Sequence, residues 1–93
     1  MDTEQAFDWD EAKRRSNFEK HGIDFEDAVL ALAGQRVEYA SPRHDEDRIV
    51  AVCLFEDRLI AVVYTMRGRV CRIISARAAR HHERREYYTH YPG

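Results

Sequence analysis

The chain is poor in residues that interrupt or staple a fold. Two prolines and two cysteines occur in 93 residues, with no internal repeat and no low-complexity tract. Nothing therefore marks a linker, and a chain this short lies below the usual ~100 to 150 residues of one domain. A single domain spanning 1–93 is expected. Long hydrophobic runs are missing too: apolar stretches such as Leu59 to Tyr64 are far short of the ~18 residues a spanning helix needs. The acidic N-terminus lacks the basic start and apolar core of a secretory leader, so a soluble, cytoplasmic protein with no membrane partner is expected. Cys53 and Cys71 each lie in an apolar run, where a thiol behaves as a small buried hydrophobe. The alternative is a disulfide or redox role; neither has a second ligand type near enough to suggest zinc. No GxGxxG, Walker-type loop, HExxH or nucleophile elbow is present, which leaves phosphate-loop and serine-hydrolase chemistry without footing.

What the chain does have is a segregated charge. Its formal net charge is -2, yet residues 67 to 86 hold seven Arg against two Glu, while residues 1 to 66 hold eight Lys or Arg against fifteen Asp or Glu. The near-neutral total hides a dipolar chain. A cationic C-terminal stretch suits phosphate, and an acidic remainder limits indiscriminate attachment to nucleic acid.

The pattern of apolar residues gives the order of elements. Asp8 or Asp10 can cap a first helix, with Glu11 three residues after Asp8 as in a capping box. Gly22 ends it in the left-handed position, with Phe18 and Ile23 placed for the apolar contact of a Schellman motif and Lys20 and His21 in the dipole-favoured last turn. Asp24 caps a second helix whose apolar positions Phe25, Ala28, Val29 and Leu32 follow helical spacing and which stops at Gly34. From there the period becomes that of strands: Arg36 to Ala40, Arg48 to Phe55, Arg58 to Met66 and Val70 to Ala76. The short links Glu56-Asp57 and Arg67-Gly68 imply an antiparallel meander, Ser41 to Asp47 reads as a longer exposed loop, and Ala78 to Tyr88 favours a last helix. The expected fold is α+β, two N-terminal helices packed on a four-stranded antiparallel sheet with a C-terminal helix; Phe7 and Trp9 offer a short extra strand. Both faces of the middle strands are apolar, Ile60, Val62 and Tyr64 on one and Leu59, Ala61 and Val63 on the other. Either the helices cover both, or an arginine-rich last helix leaves room for a partner protein.

Five pieces, FDWDEAKRRSNFEKHGIDFEDA at residues 7 to 28, DEDR at 45 to 48, YTMRGRVCRIISARAAR at 64 to 80, HERREYY at 82 to 88, and their spacing, give the chain a family likeness. It resembles the BrnT-like toxins of bacterial toxin-antitoxin systems over roughly residues 7 to 88. The resemblance implies a RelE-like fold and a ribonuclease that needs neither metal nor other cofactor and blocks translation. It also implies neutralisation by a BrnA-like antitoxin, through which alone the complex would reach operator DNA.

Metal-independent RNA cleavage needs a group that helps deprotonate the 2'-hydroxyl, cations for the charged transition state and an acid for the leaving oxygen. Arginine suits the cationic role, because its planar fork binds phosphate bidentately and stays charged. Arg67, Arg72, Arg77 and Arg80 are expected to converge on one edge of the sheet, with Arg67 and Arg77 catalytic and Arg72 and Arg80 holding RNA. Arg72, in the middle of an apolar strand, must be paired or open to a groove. Arg84 extends the RNA face or, like Arg85, makes solvated ion pairs with Glu83 and Glu86. His21 is the acid-base candidate, since an imidazole titrates near ~6.5, or it satisfies helix-end carbonyls; Lys20 contacts phosphate or complements the dipole. Glu83 is a base, an orienting group or a surface ion-pair partner, and Tyr87 a stacking ring for RNA or a core residue. His81 and His82 are splayed too far apart for a metal site, and His44 and His90 read as exposed. The competing reading is a non-catalytic module whose basic end binds nucleic acid or an acidic protein. A DNA-binding regulator is disfavoured by the lack of a basic recognition helix after a tight turn.

Overall fold

The computed structural model describes residues 4–92. Along the chain come β1 (Ala6–Asp8), α1 (Glu11–His21), α2 (Phe25–Leu32), β2 (Arg36–Ala40), β3 (Arg48–Phe55), β4 (Arg58–Arg67), β5 (Val70–Ala78) and α3 (His81–His90). The strands make one sheet ordered β1-β5-β4-β3-β2. Strands β2 to β5 are antiparallel neighbours, but β1 lies parallel to β5, with Phe7 opposite Cys71. The sheet is thus five-stranded and mixed, which corrects the four-stranded antiparallel expectation. Three residues of strand carry too little periodicity to announce their pairing.

The β3–β4 turn falls at Glu56-Asp57, as expected. Glu56 and Asp57 have φ of 50° and 66°, the left-handed pair whose twist matches a two-residue hairpin. The β4–β5 turn sits at Gly68-Arg69, one residue later than expected, because Arg67 still pairs with Val70. Its positive φ of 61° falls on Gly68, where no Cβ resists it. The segment expected as a long loop folds back on itself: Arg43 and Glu46 exchange backbone bonds across His44 and Asp45, both with positive φ.

Helix α1 is capped by Asp10, which accepts from the Ala12 and Lys13 amides. It ends at Gly22 (φ 72°), whose N–H donates to the Phe18 carbonyl, the single bond of an αL termination. Ile23 enters the core, whereas Phe18 stays 54% exposed. The buried residue of this polar helix is Asn17. Its Nδ2 donates to the Ile23 and Ala76 carbonyls at 3.1 and 2.9 Å, and its Oδ1 accepts from the Ala76 amide at 3.2 Å. Strand β1 pairs only with residues 70 to 72 of β5. Farther along that edge Asn17 satisfies both backbone groups of Ala76, its side-chain amide standing in for a neighbouring strand's peptide.

Two cores flank the sheet. Phe25, Ala28, Ala31 and Leu32 of α2 meet Ala51, Cys53, Ile60, Val62, Tyr64, Cys71, Ile73 and Ala76 on one face. On the other face α3 lays Tyr87 on Val37, Val52 and Ala79, with Tyr39, Leu59 and Tyr91 alongside. An arginine-rich helix covers apolar surface there through its tyrosines. Both cysteines are buried and free; burial pushes the Cys53 thiol up to about 12 and that of Cys71 up to about 11, away from thiolate chemistry. Among the described residues no helix is long and apolar enough to cross a membrane.

One irregularity decides what the second face presents. Between Val63 and Tyr64 of β4 the register to β5 slips, Tyr64 facing Ile73 and Val63 facing Ser75, so Ile74 is an extra residue. Cys71 and Ile73 point to the α2 core, and after the bulge Ala76 does so too. Strict alternation would have aimed Ser75 and Arg77 into that core. The bulge turns them to the opposite face, the one that also holds Arg72.

Candidate functional site

Helix α3 covers one end of its sheet face, over Val37 and Val52. The rest of the face is an open cleft of about 440 Å³. Lys20 and His21 reach it from the last turn of α1, Tyr39 from β2, and Ser41 and Arg43 from the turn that follows. Arg48 enters from β3, Arg77 from β5, and Arg80 from the residue capping α3. Val50, Val63, Ile74 and Ser75 form the floor. The cross-strand row Tyr39, Val50, Val63, Ser75 follows from the register of four adjacent strands.

The basic side chains of this cleft fall into two sets. Arg48 donates to Glu46 at 2.9 Å, and Arg77 makes a two-pronged pair with Glu83, both bonds 2.8 Å. Lys20, His21, Arg43 and Arg80 have no carboxylate at ion-pairing distance among the described residues. An anion entering the cleft therefore meets Lys20, Arg43 and Arg80 with donors to spare and the His21 imidazole beside them, contributed by the end of α1, the turn after β2 and the start of α3.

Glu83 is the hub beneath them. Its side chain is fully buried, and it accepts from both terminal nitrogens of Arg77, from the Arg80 amide at 2.7 Å and from the Tyr39 hydroxyl. Burial alone would raise its pKa; the bonds from Arg77, the Arg80 amide and Tyr39 outweigh it and hold the carboxyl at about 2. Burial and the bond to Glu83 push the Tyr39 phenol the other way, above its ordinary value. Glu83 is placed three residues into the helix, where it also satisfies an otherwise orphaned amide of the first turn. Each of its two oxygens accepts two hydrogen bonds. The carboxylate is bonded at once to Arg77, Tyr39 and the Arg80 amide.

Of the expected site residues, Lys20, His21, Arg77 and Arg80 come together. Arg67 does not: its side chain is 61% exposed and reaches Glu46 at 3.4 Å, outside the cleft. Arg72 shares the sheet face, in the row Arg48, Thr65, Arg72, but is held by Asp8 of β1 at 3.3 Å. Arg84 lies on the outer side of α3 beside His81, Arg85 and Tyr88. Tyr87 is 2% exposed within the second core, so its ring is not open to a base. The gathering lies on a sheet face and not at an edge, and it is not drawn chiefly from the C-terminal arginines. Tyr39, Arg43 and Arg48 were missed. The alternation of Val37 and Tyr39 was the available signal for the first; the two arginines were masked by the acidic run between them. Among the described residues no group of three or more His, Cys, Asp or Glu is placed to hold a metal ion.

No curated protein matches the chain. A family model described as the ribonuclease toxin, BrnT, of type II toxin-antitoxin systems matches residues 9–83. That span begins just ahead of α1, carries every side chain lining the cleft and ends on its buried carboxylate. The chain belongs to the BrnT family of ribonuclease toxins of type II toxin-antitoxin systems.

Proposed function

We propose that the cleft is the active site of an endoribonuclease that cuts RNA by attack of a 2'-hydroxyl on the adjacent phosphate, without a metal ion, and so stops translation. The observation that carries this reading is the convergence of Lys20, His21, Arg43 and Arg80 with no acidic partner among the described residues. In this scheme Lys20, Arg43 and Arg80 bind the phosphate and offset the charge that grows on its oxygens in the transition state. His21 carries the proton between the attacking hydroxyl, the solvent and the leaving oxygen. Arg77, locked by Glu83, shapes the wall and presents a fixed dipole. Family membership supports a protein antitoxin as partner; a BrnA-like protein, also the route to operator DNA, is the proposed one.

The test is incubation of purified protein with a structured messenger RNA, with and without EDTA, and mapping of the new ends by primer extension. Discrete cuts that survive chelation are expected. Lys20→Ala, His21→Ala and Arg80→Ala should each slow cutting by on the order of 100-fold with thermal stability unchanged to within about 0.5 kcal/mol. Intact RNA with only a salt-dependent gel shift would instead assign the cleft to binding without catalysis.

A further inference from the structure

We infer that Tyr39 is the base-stacking residue of this site, and hence that the cleft takes an unpaired nucleotide. The inference rests on the reading of the cleft as an RNA site and adds a residue and a substrate class to it. Tyr39 is the one Tyr, Phe or Trp among the described residues lining the cleft, in the company of Lys20, His21, Arg43 and Arg80. Cations gripping phosphate beside an exposed aromatic face is the arrangement by which single strands are held, because every base offers a π-face whatever its sequence.

The geometry determines which part of Tyr39 is available. Its backbone is fixed in the ladder opposite Val50, and its hydroxyl is already spent on Glu83. The polar tip therefore points at the hub, and the ring, half-buried, forms a wall of the cleft. The ring is pinned at both ends, so it loses little freedom when a base lies on it, and preorganisation of this kind favours binding. His82 approaches from α3, its ring centroid 6.1 Å away at 59°. That angle leaves the two rings unstacked on each other. A base inside a duplex keeps its faces against its neighbours and has none to offer; only a base splayed from the stack reaches a ring in the wall of a cleft.

The test uses non-cleavable, fully 2'-O-methylated RNA carrying 2-aminopurine, whose fluorescence is quenched by stacking. Binding is thereby read separately from cutting. Wild-type protein should quench the single strand, and at matched salt should bind the same sequence more weakly, without quenching, when it is paired. Tyr39→Leu should lose the quench and about tenfold in affinity, and Tyr39→Phe, which restores the ring without the hydroxyl that pins it, should recover the quench and most of the affinity, with thermal melting confirming that each variant is folded. Unaltered quenching by Tyr39→Leu, or equal affinity of the wild type for paired and unpaired RNA, would overturn the inference; the second readout stands even if a variant fails to fold. Quenching together with intact unmodified RNA would sink the nuclease reading and leave the stacking role in place.

Discussion

A single buried carboxylate sets the local order of this cleft. Glu83 is held charged by Arg77, the Arg80 amide and Tyr39, and its folded pKa of about 2 lies below the ordinary 4.5. A depressed carboxyl pKa stabilises the fold above its unfolded value, and this contribution fades as pH falls. Wild-type stability should therefore drop as pH is lowered from about 4.5 toward 2, and chemical denaturation of Glu83→Gln should show less of that acid-linked loss. At neutral pH Glu83→Ala, which leaves Arg77 without its partner, should cost about 3–5 kcal/mol. A flat difference between wild type and Glu83→Gln across that window would mean that the Arg77 pair is not what holds the carboxylate. The sequence did offer Glu83 as an orienting residue, alongside two other roles. Its burial was not readable, because HERREYY looks uniformly polar and only the tertiary position of Tyr87 reveals which way the helix faces.

Helix α1 shows how an element with scarcely any apolar surface can still be placed accurately. Its dock is Asn17, bonded to both backbone groups of Ala76 on the incomplete edge of β5, and its last turn delivers Lys20 and His21 to the cleft. Asn17→Ala should cost roughly 2–3 kcal/mol, the desolvation of strand groups left unpaired. In RNA-cleavage assays run well below its melting temperature, it should also slow cutting, since the two site residues swing with the helix. Full activity in a destabilised Asn17→Ala would uncouple the dock from the site. The β5 bulge has a comparable role from the other side, and here sequence reading reached its limit. Alternation along Leu59 to Tyr64 gave the faces of β4 correctly, while the extra residue at Ile74 has no signature in RIISAR and reverses every orientation after it. Helix caps and three hairpin strands were legible because their signals are local: Asp24, Gly22 and the β-branched runs. The parallel β1 and the face of Arg77 depend on partners distant in the chain, and the local turn at Arg43–Glu46 places positive φ on His44 and Asp45, where no glycine announces it.

At the scale of the whole molecule, the segregated charge of the sequence does not become one arginine cluster. Arg67, Arg72 and Arg77 are each matched with a carboxylate, and the unmatched cations of the cleft come from both halves of the chain. Three permanently charged groups, Lys20, Arg43 and Arg80, remain for phosphate. The affinity for single-stranded RNA should then fall with salt at a log-log slope of about -2. A slope near zero would remove phosphate contacts from the account. Where RNA lies is tested most directly by amide chemical-shift mapping of isotope-labelled protein titrated with a non-cleavable single strand. The largest shifts should gather at Lys20–Gly22, Tyr39–Arg43, Arg48–Val50 and Ser75–Arg80, with little change along α2. Shifts confined instead to Leu30 and Met66 on the opposite face, or to His81, Arg84 and Arg85 on the outer side of α3, would contradict it.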